Sequence, residues 1–127
     1  MHQYEDRADI VPLPCPGLME FVERGILDGS ELEKYLTELL CTVNHKKIDS
    51  IVLGCTHYPF VKTAIQKVAG SGVLIFDGGE GTAREMKRRL SEAGLLNKNK
   101  NTGQVQFINS RNTKEEIELC EFLLGYV

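Results

Sequence analysis

The chain has 127 residues, 42% hydrophobic and 26% charged, which suits one globular domain or one lobe of something larger and excludes disorder as the main state. Folding at this length buries roughly 65–70% of the unfolded surface, enough for a sizeable core. Fifteen basic against eighteen acidic residues give a net charge of -3, which argues against a general grip on nucleic acid or anionic lipid, and no apolar run is long enough for a membrane span.

Short apolar runs alternate with helical periods, the pattern of an α/β layout with a parallel sheet. Ile10 to Leu13 reads as a first strand, stopped by Pro14 and Pro16. Leu18, Phe21 and Val22 give a short helical stripe ending near Gly25. Ser30 and Glu33 match the S-x-x-E capping box, and Leu32, Leu36, Leu39, Leu40 and Val43 follow at helical spacing. Ile51-Val52-Leu53 is an all-apolar run of the kind found in parallel strands covered on both faces by helices. A helix from Pro59 turns Val61, Ala64, Ile65 and Val68 inward and stops at Gly70.

Val73 to Phe76 reads as the next buried strand. Asp77 and Gly78-Gly79-Glu80-Gly81 then turn the chain into a helix carrying Ala83, Met86 and Leu90. Residues 97–104 are polar and turn-rich, the best linker candidate, so the expected division is 1–96, a linker at 97–104, and a strand–helix unit at 105–127. In that last unit the strand is Val105 to Ile108. Thr113 and Glu116 supply a capping box, and Ile117, Cys120 and Leu124 the inner stripe.

The four cysteines, Cys15, Cys41, Cys55 and Cys120, include no C-x-x-C pair, so zinc-ribbon spacing is absent and no metal site is expected. The N-terminal Met1 to Asp6 has no basic-then-apolar signal pattern, and the expectation is a cytoplasmic protein with reduced thiols. Cys41 and Cys120 lie on helical stripes and are expected in or near the core. Cys15 follows a strand on the same rim as Cys55 and is expected to be structural.

The segment Gly54-Cys55-Thr56-His57-Tyr58-Pro59 joins a buried strand to a helix with Pro59 at its first position. Ligands in open α/β sheets bind at the carboxyl ends of strands. Gly54 lets the backbone turn or approach a ligand closely. Cys55 follows it, beside free backbone N–H groups and the positive end of a helix dipole, a setting that favours a thiolate. Thr56 adds a hydroxyl and His57 an imidazole that exchanges protons. Glu23, taken alone, reads as a solvated residue at a helix end.

This segment resembles the second cysteine motif of the glutamate racemases, within the aspartate/glutamate racemase superfamily. Pro14-Cys15-Pro16-Gly17-Leu18 with Phe21-Val22-Glu23 is similar to the family's A-C-P-x-x-V-P-x-V-E stretch, and Leu74 to Gly79 to its L-I-D-S-G strand end. Val105 to Ile108 resembles the final strand, with Asn109-Ser110 in place of a threonine-rich ending. His57 after Cys-Thr favours glutamate, because other members often carry an acidic residue there. The resemblance implies the C-terminal portion of a three-layer, parallel-sheet α/β enzyme, truncated within its lobe, whose last strand and helix pack on a first lobe.

The chemistry so implied is racemisation of glutamate without pyridoxal phosphate, metal or other cofactor, supplying D-glutamate for peptidoglycan. Inverting a tetrahedral carbon by proton transfer needs a base and an acid on opposite faces. By resemblance Cys55 is one of the two, His57 supports it, Glu23 stands near His57, and Thr56 with Gly54 holds the substrate carboxylate. The family's first-lobe A-C-N-T-A motif is not in this sequence, so the chain alone is expected to be inactive and the first lobe to be its partner. Self-association through the surface that lobe would cover is a further reading. The alternative function is a nucleotide- or phosphate-binding module using the Gly78 to Gly81 turn, although neither G-x-G-x-x-G nor the Walker lysine pattern is present.

Overall fold

The structure, a computed structural model, describes residues 8–43, 47–99, 101–111 and 113–126. Met1 to Asp6, read above for a signal pattern, Lys100 of the 97–104 stretch and Val127 lie outside the described residues.

The strands β1 (Ser50–Val52) and β2 (Leu74–Phe76) form a parallel pair, with Ser50 opposite Leu74, Ile51 opposite Ile75 and Val52 opposite Phe76. The pairing runs on at both ends, where Leu74 N–H donates to the Asp49 carbonyl (3.0 Å) and Leu53 N–H to the Phe76 carbonyl (2.8 Å). A parallel pair needs a crossover, here a 3-10 turn at Tyr58–Val61 that leads directly into α3 (Lys62–Ala69). Gly70 ends α3 at a φ of 94°, and the Gln66 side-chain amide donates to the carbonyls of Gly70 and Val73, closing the turn into β2.

Two helices precede the sheet, α1 (Leu18–Glu23) and α2 (Ser30–Cys41). Gly17 permits the entry to α1, since its φ of 92° is the left-handed conformation that a side chain disfavours. The core joins Leu18, Phe21 and Val22 of α1, Leu27 of the connection that follows it, Leu32 and Leu36 of α2, Leu53, and Val61, Ala64 and Ile65 of the crossover. Ile51 and Ile75 pack against this cluster from one face of the sheet. The other face, carrying Val52, Leu74 and Phe76, is 74%, 62% and 52% exposed at those residues. The parallel α/β class therefore stands, but among the described residues in two strands, with helical cover on one face instead of both.

Two further helices, α4 (Gly79–Glu92) and α5 (Lys114–Tyr126), bury no residue fully. Ala83, Met86 and Leu90 face outward on α4. α5 leans on the core through Leu123, and its Leu119 lies beside Gly25.

Several expectations are corrected. Residues 10–13 form no strand, because Pro12 removes a ladder donor in the middle of the run and Ile10 and Val11 are exposed. Residues 105–108 form no strand either. Val105 and Ile108 are 68% and 84% exposed, and a β-prone run without a neighbouring edge has nowhere to send its hydrogen bonds. Ser30 opens α2 without capping it. Gly29 holds the N-cap position, and Glu33 pairs with Lys67 of α3. The Thr113 box is half formed, its hydroxyl accepting from Glu116 N–H at 3.4 Å while the Glu116 carboxylate reaches Arg111 at 3.1 Å. On α5 the inner stripe turns through Leu123, leaving Leu124 exposed. Cys41 is exposed rather than near the core.

Candidate active site

The turn after β1 is fixed from both sides. Leu53 is buried and hydrogen-bonded to β2, and Val61 is completely buried at the end of the 3-10 turn. Between them Tyr58 N–H donates to the Cys55 carbonyl (3.3 Å) and Phe60 N–H to the His57 carbonyl (3.2 Å). Gly54 and Thr56 are left exposed, with Cys55 and His57 half-buried. Nothing stands within 4 Å of where a Cβ on Gly54 would lie, so the backbone there is open to a ligand.

Within this turn the Cys55 Sγ lies 3.7 Å from His57 Nδ1. The other ring nitrogen, Nε2, lies 3.7 Å from Glu23 Oε1 at the end of α1. The imidazole thus bridges a thiol and a carboxylate, each held by a different element. The first contact is within reach of a sulfur hydrogen bond. The second, between the ring and the carboxylate, is longer than a hydrogen bond. Such an arrangement puts a proton-exchanging ring beside the sulfur.

Cys15 stands close by. Its Sγ donates to the Leu13 carbonyl at 3.3 Å and shares a hydrogen bond with the Tyr58 hydroxyl. Burial pushes this thiol up, the Tyr58 hydrogen bond opposes that, and a charge on Cys55 adds to the rise. Taken together these influences favour the neutral form of the Cys15 thiol. Burial also pushes the Tyr58 phenol up, with the neighbouring Cys15 and Cys55 contributing. A tyrosine next to proline in a turn carries no local pattern that announces the contact of Tyr58 with residue 15.

The expected Gly78–Gly81 turn is instead the start of α4, with Gly78 at its N-cap and Gly79 to Gly81 already helical, and the Asp77 carboxylate fills this helix start. Asp77 Oδ1 accepts from Gly79 N–H at 3.1 Å, and a Cβ on Gly79 would lie 3.3 Å from that oxygen. Asp77 Oδ2 accepts from Lys62 Nζ at 3.0 Å. The Lys62 ammonium first, then the Gly79 N–H, hold the Asp77 carboxyl below the usual range. A fixed negative charge sits where a phosphate would need a bare N–H, which weighs against the phosphate-binding alternative. Among the described residues no three His, Cys, Asp or Glu side chains gather as a metal site, and no helix is long and apolar enough to cross a membrane.

No protein-family profile matches the chain. It is 45% identical to a glutamate racemase of Clostridium perfringens over 124 residues, 98% of this chain and 48% of that protein. To a glutamate racemase of Clostridium novyi it is 44% identical over 128 residues, 100% of this chain and 49% of that protein. The chain spans about half the length of the curated relatives it matches. Among solved structures it superposes on glutamate racemase from Francisella tularensis in complex with D-glutamate, with a TM-score of 0.83 and 26% identity. That match covers 98% of this chain and 46% of the other. A glutamate racemase from Bacillus anthracis gives a TM-score of 0.76 at 29% identity, over 98% of this chain and 47% of the other.

Proposed function

We propose that this chain, a homologue of the glutamate racemases along its whole length that matches a C-terminal portion of them, contributes one face of a two-thiol site interconverting L- and D-glutamate. The observation that carries the reading is the Cys55–His57–Glu23 relay at the open end of β1, with 3.7 Å between the sulfur and the ring and 3.7 Å between the ring and the carboxylate.

Cys55 acts as base in one direction, taking the α-proton onto sulfur, and as acid in the other, returning it. His57 holds the thiolate by charge and hydrogen bonding, and Glu23 orients and polarises the ring. The Thr56 hydroxyl and the open backbone at Gly54 receive the substrate carboxylate. A proton must arrive on the opposite face of the α-carbon, and Cys15 cannot bring it, because it shares Tyr58 with the Cys55 turn on the same side. The second thiol comes from a first lobe, against which residues 105–127 pack while 1–96 carry the half-site and 97–104 link the two. The reaction needs no cofactor, since the thiols perform both transfers, and its D-glutamate supplies cytoplasmic peptidoglycan synthesis.

Racemisation and α-proton exchange in D2O test this. The isolated chain is expected to show neither. Co-expressed with the remaining portion of the Clostridium perfringens relative, it is expected to racemise glutamate, and Cys55→Ser to lower that rate by about 10²-fold or more. Racemisation by the complemented protein that survives Cys55→Ser overturns the assignment.

A further inference from the structure

The geometry points to a positioning role for the Lys62–Asp77 pair, as a strap that holds the Cys55–His57 turn in its reactive shape; the inference rests on the reading of Cys55 as a proton-transfer thiol. Three elements meet at the carboxyl rim. The turn carrying Cys55, Thr56 and His57 leaves β1 and enters α3, whose first residue is Lys62. Asp77 is the first residue after β2, alongside that turn, because Leu53 N–H bonds to the Phe76 carbonyl immediately before it. The Lys62–Asp77 bond of 3.0 Å therefore joins the far end of the reactive turn to the neighbouring strand end.

Both carboxylate oxygens of Asp77 are engaged, one by Lys62 and one by Gly79 N–H. That double use fixes the carboxylate in orientation and makes it an anchor rather than a free charge. Its side chain is 22% exposed against 44% for Lys62, so the contact is partly shielded, unlike the exposed pairs of α4. The hydrophobic anchors on either side, Leu53 and Val61, fix the backbone where the turn begins and where it ends its 3-10 segment. The strap resists sliding of α3 along the sheet, the movement that would draw His57 away from the sulfur. A reactive side chain needs its supporting contacts fixed to within a fraction of an ångström, and this pair is placed to provide that.

Peptide-resolved alkylation by iodoacetamide at pH 7 reads the effect in this chain, with Cys41 and Cys15 as internal references. Cys41 is exposed and Cys15 half-buried, so the first reports reagent and the second reports opening of the fold. Lys62→Met and Asp77→Asn are each expected to slow Cys55 about threefold or more, because the turn loses its fixed geometry. Cys15 is expected to stay as slow as in the parent, Lys62→Arg to restore Cys55, and the double variant to be no worse than either single one. An unchanged Cys55 rate in both single variants overturns the strap, and so does a rise at Cys15, which means general loosening. The two readings separate in the same data. A parent Cys55 no faster than Cys41 counts against the thiol assignment itself, while the strap is still judged by the change between parent and variants.

Discussion

The stretch from Leu18 to Ile65 and the stretch from Gly79 to Tyr126 are both mostly helical, yet they are held by different forces. Every buried side chain among the described residues belongs to the first. In the second, α4 is laced by Glu80–Arg84, Glu85–Arg88, Glu85–Arg89 and Arg88–Glu92 pairs on an exposed surface. Burial of a leucine or valine side chain contributes about 1.5–3 kcal/mol, whereas an exposed ion pair on a helix contributes tenths and is screened by salt. An amphipathic pattern thus specifies where a helix can form, but only a partner surface turns the apolar stripe into stability. The candidate site belongs to the first stretch, where Glu23, Cys55 and His57 are carried by elements that share the core.

The contrast breaks most sharply under truncation of apolar side chains. Leu36→Ala, at a position 2% exposed in the middle of α2, is expected to cost about 2–5 kcal/mol. Met86→Ala, on the open side of α4, is expected to change stability by no more than about 0.5 kcal/mol. Urea unfolding curves with equal slopes give both numbers. A Met86→Ala loss as large as that of Leu36→Ala would mean that α4 is packed against something in solution.

The same division explains what could be read from the sequence. The α2 and α3 stripes were legible because each is a run of local spacings, and Leu32, Leu36, Val61, Ala64 and Ile65 are buried where the pattern puts them. Gly54 to Pro59 was legible because its chemistry is contiguous. Glu23 was not, since only the packing of α1 against the crossover brings residue 23 to residue 57; the family resemblance, rather than any local rule, pointed to it. The Lys62–Asp77 bond depends on two strand ends meeting across an intervening helix, which no window of neighbouring residues contains. The runs at 10–13 and 105–108 failed for the converse reason. Apolar alternation describes a segment that could pair, and pairing also needs free donors and an edge, which Pro12 denies in the first case and the surroundings in the second.

Glycine substitutions sharpen the comparison at smaller scale. Gly17 holds a φ of 92° at the entry to α1, so Gly17→Ala is expected to destabilise by roughly 1 kcal/mol through backbone strain, even though the nearest atom, on Tyr35, stands 3.9 Å from the new Cβ. Gly81 lies inside α4 with nothing within 4 Å, and Gly81→Ala is expected to stabilise that helix by about 0.5–1 kcal/mol. Amide hydrogen exchange separates the outcomes. Gly17→Ala should speed exchange across the core, while Gly81→Ala should slow it in α4 alone. Faster core exchange in Gly81→Ala would show that the two stretches are coupled more tightly than their packing indicates.

The smallest effect is electrostatic and belongs to α4. Hydrogen bonds from Arg88, then Arg89, lower the Glu85 carboxyl from 4.5 to about 2. Because the folded value lies below the unfolded one, the helix gains from this group at any pH above about 4.5, and the gain fades as pH falls from there toward about 2. Ellipticity from α4 should therefore decline across that window, less so in 0.5 M salt, and Glu85→Gln should remove the pH-dependent part while leaving a slightly weaker helix at neutral pH. The α2 amides, held by Leu32 and Leu36 rather than by charge, should change little over the same range. Equal acid profiles for the parent and Glu85→Gln would mean that the arginine lattice does not hold α4, and that its stability must come from a contact made by its outward stripe of Ala83, Met86 and Leu90.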